Sequence, residues 1–317
     1  MDPDMDRQDT IFIAGHQGLL GRALVRALGA AGYEKLLQVP RSDVDLTRQS
    51  DVEALFRRER PAYVFLAAGR VGGIVANQKS PADFIYENLA IQSAVLSAAH
   101  EFGVEGLCFF GSSCMYPRDL ECIREDDLGT GVIEPTSRAY ATAKISGVEL
   151  CRAYRAQHGR RFFTLVPATL YGAHDHFGSD RAHVVPALIE RFHAAARSGA
   201  ESVTVLGTGR AKREFSFVDD AADAAIFCMQ SGADLDLLNA GSGEEISIGD
   251  LARLIARVVG YAGEIRFDSD ATDGAPRKLL DSDRLRALGW QPRTTLAEGL
   301  ERTYAWYVGT PETRDVC

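Results

Sequence analysis

A glycine turn set between an apolar strand and an apolar-periodic helix restricts this chain more than any other feature. Residues 10–14, TIFIA, form a short β-branched run; GHQGLLG follows at once, and LGRALVRALGAAGY then carries apolar residues at helical spacing. Gly15, Gly18 and Gly21 give GxxGxxG across that junction. Glycine is needed there for three reasons: a turn free of side-chain clash, close backbone approach to a pyrophosphate, and tight seating of helix on strand. Alone, such a triplet fits many loops, but inside a strand–helix–strand unit it points to a dinucleotide. The loop residues His16, Gln17, Leu19 and Leu20 are therefore grouped with the glycines as cofactor-binding.

The alternation continues. LLQV at 36–39 and YVFLAA at 63–68 read as strands, separated by an amphipathic segment with Val52, Leu55 and Phe56. A helix around FIYENLAIQSAVLSAAHEF, a strand at GLCFFGSS, a helix from about Tyr140 to Ala156 and a strand at FFTLVPAT follow. Strands alternating with helices predict an α/β fold with a doubly wound parallel sheet covered on both faces. After Tyr171 the pattern loosens into GAHDHFGSDRAH, then a helix beginning near Pro186 and another with Ser247 near its N-terminus. The expected division is a Rossmann domain from 1–172 plus about 214–242, and a smaller substrate domain from 173–213 plus about 243–317.

Composition narrows the partners. A net charge of −9 over 317 residues, with no basic stripe, argues against a nucleic-acid surface. No apolar run approaches the roughly 20 residues of a membrane span, and the start MDPDMDRQDT lacks a secretory pattern, so no membrane association and a cytoplasmic address are expected. Six cysteines lie scattered with no CxxC pair, which predicts neither a metal site nor a disulfide framework.

The end of the second strand bears on cofactor choice. An NAD site usually places an acid there for the ribose 2′-hydroxyl, whereas here Val39 and Pro40 lead to Arg41, whose guanidinium suits a 2′-phosphate. NADP is expected. Asp45 and Leu46 suit the adenine, although Asp45 is also placed as an ordinary helix N-cap.

Tyr140 and Lys144 form YATAK, and their spacing puts both on one helix face. A phenol loses its proton near pH 10, and a neighbouring ammonium is expected to stabilise its anion. Ser112 and Ser113 end a strand at the carboxyl edge of the sheet, where doubly wound folds bind ligands. Ser112 is expected to hydrogen-bond a substrate carbonyl beside Tyr140, with Ser113 contacting substrate.

With GxxGxxG, YxxxK and SSCMYP in hand, the chain resembles the extended short-chain dehydrogenases. The longer strings VGGIVANQKSPADFIYENL, GSSCMYP, HVVPALIERFH, KREFSFVDD and DGAPRKLLD resemble the GDP-L-fucose synthase family across nearly the whole chain. That resemblance implies epimerisation of a GDP-4-keto-6-deoxy sugar at C3 and C5 and NADPH-dependent reduction at C4. It implies Cys114 and His183 as the epimerisation pair, and Arg191, Arg213 and Asp273 at the nucleotide. The expected cofactor set also takes in Ala67, Ala68, Gly69, Pro167, Leu170 and His183; Leu206 joins the substrate set. Relatives pair as dimers, and the helices around FIYENLAIQSAVL and ISGVELCRAYRAQ would form that seam.

Several positions depart from the family pattern. Gln17 stands where an arginine is common, Gly69 and Arg70 replace alanine and lysine, and Ala168 and Thr169 replace threonine and asparagine. Leu206 replaces tryptophan, and Ser137, Arg138 and Ala139 differ just ahead of Tyr140. A GDP-4-keto-6-deoxyheptose reductase without epimerase activity, serving capsule or lipopolysaccharide, is the alternative. A 4,6-dehydratase is disfavoured because Ser113 and Cys114 occupy places where dehydratases of this fold carry an acidic pair. A non-catalytic dinucleotide sensor would not need Ser112, Tyr140 and Lys144 together.

Overall fold

Short apolar strands, buried on both faces and separated by helices, build the larger layer. The computed structural model describes residues 5–178, 182–268 and 277–309. The chain opens with β1 (Ile11–Ala14), α1 (Leu19–Ala30), β2 (Leu36–Leu37), α2 (Gln49–Glu59), β3 (Tyr63–Leu66), α3 (Ile74–Lys79), α4 (Pro81–Glu101), β4 (Gly106–Phe110), α5 (Arg138–His158) and β5 (Arg161–Pro167). It continues through β6 (Thr169–Tyr171), α6 (Val184–Ser198), β7 (Ser202–Leu206), β8 (Lys212–Phe217), α7 (Val218–Gln230), β9 (Leu237–Ala240), β10 (Glu245–Ser247), α8 (Ile248–Val259), β11 (Glu264–Asp268), α9 (Asp283–Ala287) and α10 (Leu296–Gly309).

Six strands form one parallel sheet in the order β2-β1-β3-β4-β5-β9. Its order reverses beside β1, the switch point at which open α/β sheets bind ligands. Successive residues of β4 alternate between two cores: Leu107 and Phe109 face the layer that contains α2, α4 and α5, while Cys108 faces the layer that contains α1 and α7. Thus the doubly wound reading from the sequence holds. The second strand is shorter than LLQV suggested; its ladder ends at Leu37, ahead of Pro40, which has no N–H to donate.

The remaining strands make two small sheets, β10-β8-β6 and β11-β7, which share a third apolar core with α6, α8 and α10. α8 starts where the sequence placed it, Ser247 Oγ accepting from the Asp250 N–H at 3.0 Å. α6 starts at Val184, two positions before Pro186, so His183 stands at its N-cap. The chain returns from this layer to the large sheet through α7 and β9.

The packing of α5 on β4 sets the height at which Tyr140 and Lys144 stand above the sheet. Gly147 of α5 faces Phe109, and a Cβ there would sit 2.3 Å from the Phe109 ring and 2.9 Å from Gln92 Oε1. The Gln92 amide in turn donates to the Ala143 carbonyl at 2.7 Å. Both neighbours are buried, so neither can swing aside. Gly147→Ala is therefore expected to lower unfolding stability by about 1–3 kcal/mol, measured by urea denaturation, with an unchanged midpoint speaking against this close approach.

Candidate active site

The glycine turn is a cradle. Gly15 has φ +86°, and a Cβ on it would lie 2.7 Å from backbone atoms of Ala68 at the end of β3. A Cβ on Gly21 would lie 2.1 Å from the Gly15 carbonyl oxygen. The bare backbone of residues 15–18 thus borders a cleft of about 320 Å³, continuous with Arg41, Asp45 and Leu46 after β2 and with Ala67, Ala68 and Gly69 after β3. His16 and Gln17 also line it, whereas Leu19 and Leu20 turn into the α1 core. Glycine backbone, a helix N-terminus and an arginine at the strand end fit the pyrophosphate and 2′-phosphate of NADP.

Asp45 does not cap α2, whose N-cap is Arg48; its carboxylate accepts from the Thr47 backbone N–H at 3.0 Å and hydroxyl at 2.7 Å. Arg41 is largely exposed and lies 3.8 Å from Glu87, a cleft residue on α4 that also pairs with Arg70 at 2.5 Å. Glu87, Arg70 and His176 are cleft residues that the sequence motifs do not reveal. Gly69 answers to Asn88: a Cβ would sit 2.6 Å from Asn88 Oδ1, which is held because Asn88 Nδ2 donates to the Arg70 and Phe84 carbonyls.

Beyond the cleft, at the carboxyl end of β4, Ser112, Cys114 and Tyr140 meet. Ser112 has extended backbone and starts the short helical turn Ser113–Met115, its Oγ accepting from the Cys114 N–H at 3.3 Å. The same hydroxyl lies close to the Tyr140 phenol and the Cys114 thiol and draws the pKa of each down against the effect of burial. Tyr140 sits in the first turn of α5, its ring edge-on to Phe84 at 6.2 Å. Burial raises its pKa, and the nearby Cys114 raises it further against the Ser112 hydrogen bond, so the phenol keeps its proton.

Lys144 differs from expectation in one respect. Its Nζ donates to the Phe110 carbonyl at 2.8 Å and lies 5.9 Å from the Tyr140 ring centroid. Burial brings its pKa down to about 8. The ammonium is thus committed to the end of β4 rather than to the phenol, since a buried donor must first satisfy its own hydrogen bonds.

Cys114 stands apart from the other described cysteines. Burial pushes Cys108 well up and Cys151 and Cys228 to about 12, and Cys122 is also raised. At Cys114 burial acts in the same direction, but Lys278 and hydrogen bonds with Ser112, Ser137 and Lys278 outweigh it and hold the thiol below its ordinary value. His183 is pushed down by burial and by His176, and its Nδ1 is buried without a partner among the described residues. Neither Lys278, within DGAPRKLLD, nor Ser137 is marked by the sequence as a partner of Cys114, because spacing says nothing of which distant segment lands beside it.

Other expected residues fall elsewhere. Pro167 ends β5 and Leu170 lies in β6. Arg191 and Leu206 line a shallow depression on the small-sheet side, where Arg191 donates to the Thr204 carbonyl at 2.6 Å. Arg213, in β8, donates to the Lys212 carbonyl at 2.6 Å. Ser113 adjoins Cys114 in the helical turn, and Asp273 lies outside the described residues.

Comparison with known proteins agrees with this geometry. Residues 11–249 match the NAD dependent epimerase/dehydratase family. GDP-L-fucose synthase 1 of Arabidopsis thaliana is 48% identical over 304 residues, covering 96% of this chain and 94% of the relative. GDP-L-fucose synthase of Escherichia coli K12 is 44% identical over 308 residues, covering 94% and 96%. The solved structure of a GDP-mannoheptose C4 reductase from Campylobacter jejuni with NADP bound superposes with TM-score 0.88 at 35% identity, covering 96% and 99%. On its glycine cradle, its YxxxK helix and identities of this extent along nearly its whole length, the chain belongs to the NAD dependent epimerase/dehydratase family, within its GDP-L-fucose synthase branch.

Proposed function

We propose that this chain is an NADPH-dependent C4 reductase of a GDP-4-keto-6-deoxy sugar that also epimerises C3 and C5, as in GDP-L-fucose synthases. The observation that carries the reading is the meeting of Ser112, Cys114 and Tyr140 at the end of β4, where Ser112 Oγ accepts from the Cys114 N–H at 3.3 Å and its hydroxyl acts on both the phenol and the thiol. A ketone oxygen bound at that hydroxyl has a proton donor on one side and a base for its neighbouring carbons on the other.

The reduced nicotinamide supplies hydride to C4 when NADPH is bound. Gly15, Gly18 and Gly21 hold the pyrophosphate, Arg41 the 2′-phosphate and Lys144 the nicotinamide ribose. Tyr140, kept protonated by its surroundings, donates to the C4 oxygen while Ser112 orients it. Before that step, the C4 ketone acidifies the hydrogens on C3 and C5, and Cys114 and His183 move those protons from one face to the other. Arg191, Arg213, Leu206 and Ser113 form the nucleotide and sugar side, and Arg191 and Arg213 suit a diphosphate through the planar donor fork of guanidinium.

The second reading, a GDP-4-keto-6-deoxyheptose C4 reductase without epimerisation, draws on the heptose enzyme among the relatives and on the departures at Ala168, Thr169 and Leu206. We assign the enzyme to nucleotide-sugar supply for a surface polysaccharide in the cytoplasm, as a homodimer joined through α4 and α5. Among the described residues no helix is long and apolar enough to cross a membrane.

Incubation with GDP-4-keto-6-deoxymannose and NADPH in deuterated water is expected to place deuterium at C3 and C5 and to consume one NADPH per sugar; C4 reduction with deuterium at neither carbon would exclude the epimerase half. Tyr140→Phe should lower the reduction rate by about 10²- to 10⁴-fold while NADPH still binds, and an undiminished rate would remove the proton-donor role. Replacing Arg41 with Ala should raise KM for NADPH by about tenfold and leave KM for NADH nearly unchanged, the ratio of the two being the measured quantity.

A further inference from the structure

Epimerisation needs a base that is charged before substrate arrives, and a buried thiol is by itself a poor one. Lys278 Nζ lies 3.8 Å from Cys114 Sγ, reaching it from a segment 164 residues away in the chain. We propose that Lys278 is a positioning residue for the epimerase half of the reaction, holding the Cys114 sulfur as the anion that takes a proton from carbon. The inference rests on the epimerase reading above and gives it a named electrostatic cause.

The segment that presents Lys278 is tied down on both sides. The Glu214 backbone N–H donates to the Lys278 carbonyl at 3.2 Å, and the buried Glu214 carboxylate accepts from the Leu280 N–H at 2.8 Å. The Ile123 N–H donates to the Leu279 carbonyl at 2.8 Å, and the Asp281 N–H to the Ile123 carbonyl at 2.8 Å. Arg277 is fixed by Glu245 at 2.5 Å. The backbone around Lys278 is therefore set by bonds that do not involve its side chain, which leaves the ammonium free to serve the thiol.

The groups facing Cys114 favour the same assignment. Lys278 is the cation, 3.8 Å from the sulfur, Tyr140 is the titratable neighbour from α5, and the Ser112 and Ser137 hydroxyls also favour the thiol's charged form. Their combined effect lowers the thiol below its ordinary value despite burial. An anion at Cys114 also helps keep Tyr140 protonated, so one charge pair prepares both halves of the reaction. In the step itself, the Cys114 anion takes the proton from C3 or C5 as S–H, and the electron pair of the broken C–H bond passes into the C4 ketone as an enolate. His183, first taking up a proton from solvent, gives it to the carbon from the other side and re-forms the C–H bond, and the Cys114 S–H later returns its proton to solvent. Lys278 changes no bond in this step.

The test is the pH dependence of iodoacetamide alkylation, read at the Cys114 peptide by mass spectrometry, in the intact protein, in Lys278→Met and in Lys278→Arg. The wild-type midpoint is expected below the ordinary thiol value of about 8.5. Lys278→Met should move it up by about one unit, an approximately tenfold loss of reactivity near pH 7, and Lys278→Arg should restore most of it. Deuterium wash-in at C3 and C5 by Lys278→Met should fall by about the same factor near pH 7 and recover as pH rises, a pattern that loss of shape alone would not produce. An ordinary midpoint in the wild type overturns the proposal without any variant, as does a Lys278→Met profile that superimposes on it. A low wild-type midpoint with no deuterium wash-in would instead refute the epimerase reading and leave the charge pair standing.

Discussion

A single buried ammonium ties the helix that carries the phenol to the strand that carries the serine. Lys144 is almost fully enclosed, donates to the Phe110 carbonyl and rests 4.7 Å from the centroid of the Phe109 ring. Ordering such a group away from water is unfavourable unless a strong acceptor meets it, and a carbonyl at the end of a parallel strand is such an acceptor. The missing side chain at Gly147 lets α5 come close enough for the bond to form. With the helix held at that height, Tyr140 one turn earlier faces Ser112, and the site is a consequence of the seam.

The cofactor side has its own anchor, built from backbone alone. Gly15, Gly21 and Ala68 approach so closely that only glycine at the first two positions leaves room, and the cleft opens above them. Both anchors sit at the carboxyl edge of one sheet, and Gly69 of the dinucleotide cleft adjoins the catalytic helix, a Cβ on it falling 3.7 Å from Lys144 Nζ. From the side of the smaller sheets come His183 at the head of α6 and Lys278 after β11, the latter bringing its ammonium to Cys114.

Electrostatics divides the labour among residues of similar type. Of the five described cysteines, four have thiols raised above their ordinary value and Cys114 is lowered, since it alone of the five has a cation within hydrogen-bond range. The expectation for Lys144 ran the other way: helical spacing aligns its charge with the phenol, yet the nearer partner is a main-chain oxygen. Helical spacing decides which side chains share a face; it does not decide which acceptor a long flexible one chooses.

Local order was legible in the sequence. Strand–helix alternation, the glycine turn, the Ser247 cap and the YxxxK face all depend on neighbours within a few residues, and periodicity and backbone sterics act at that range. Segments brought together from far apart were not legible. Glu87 beside Arg41, Asn88 under Gly69 and Lys278 against Cys114 arise from packing between elements, and nothing in the spacing of either partner encodes the meeting. Sequence alone thus determined the fold class and the helix face that Tyr140 and Lys144 share, whereas the charge state of each group was decided by the tertiary structure, because burial and the nearest opposite charge exist only once the chain has closed.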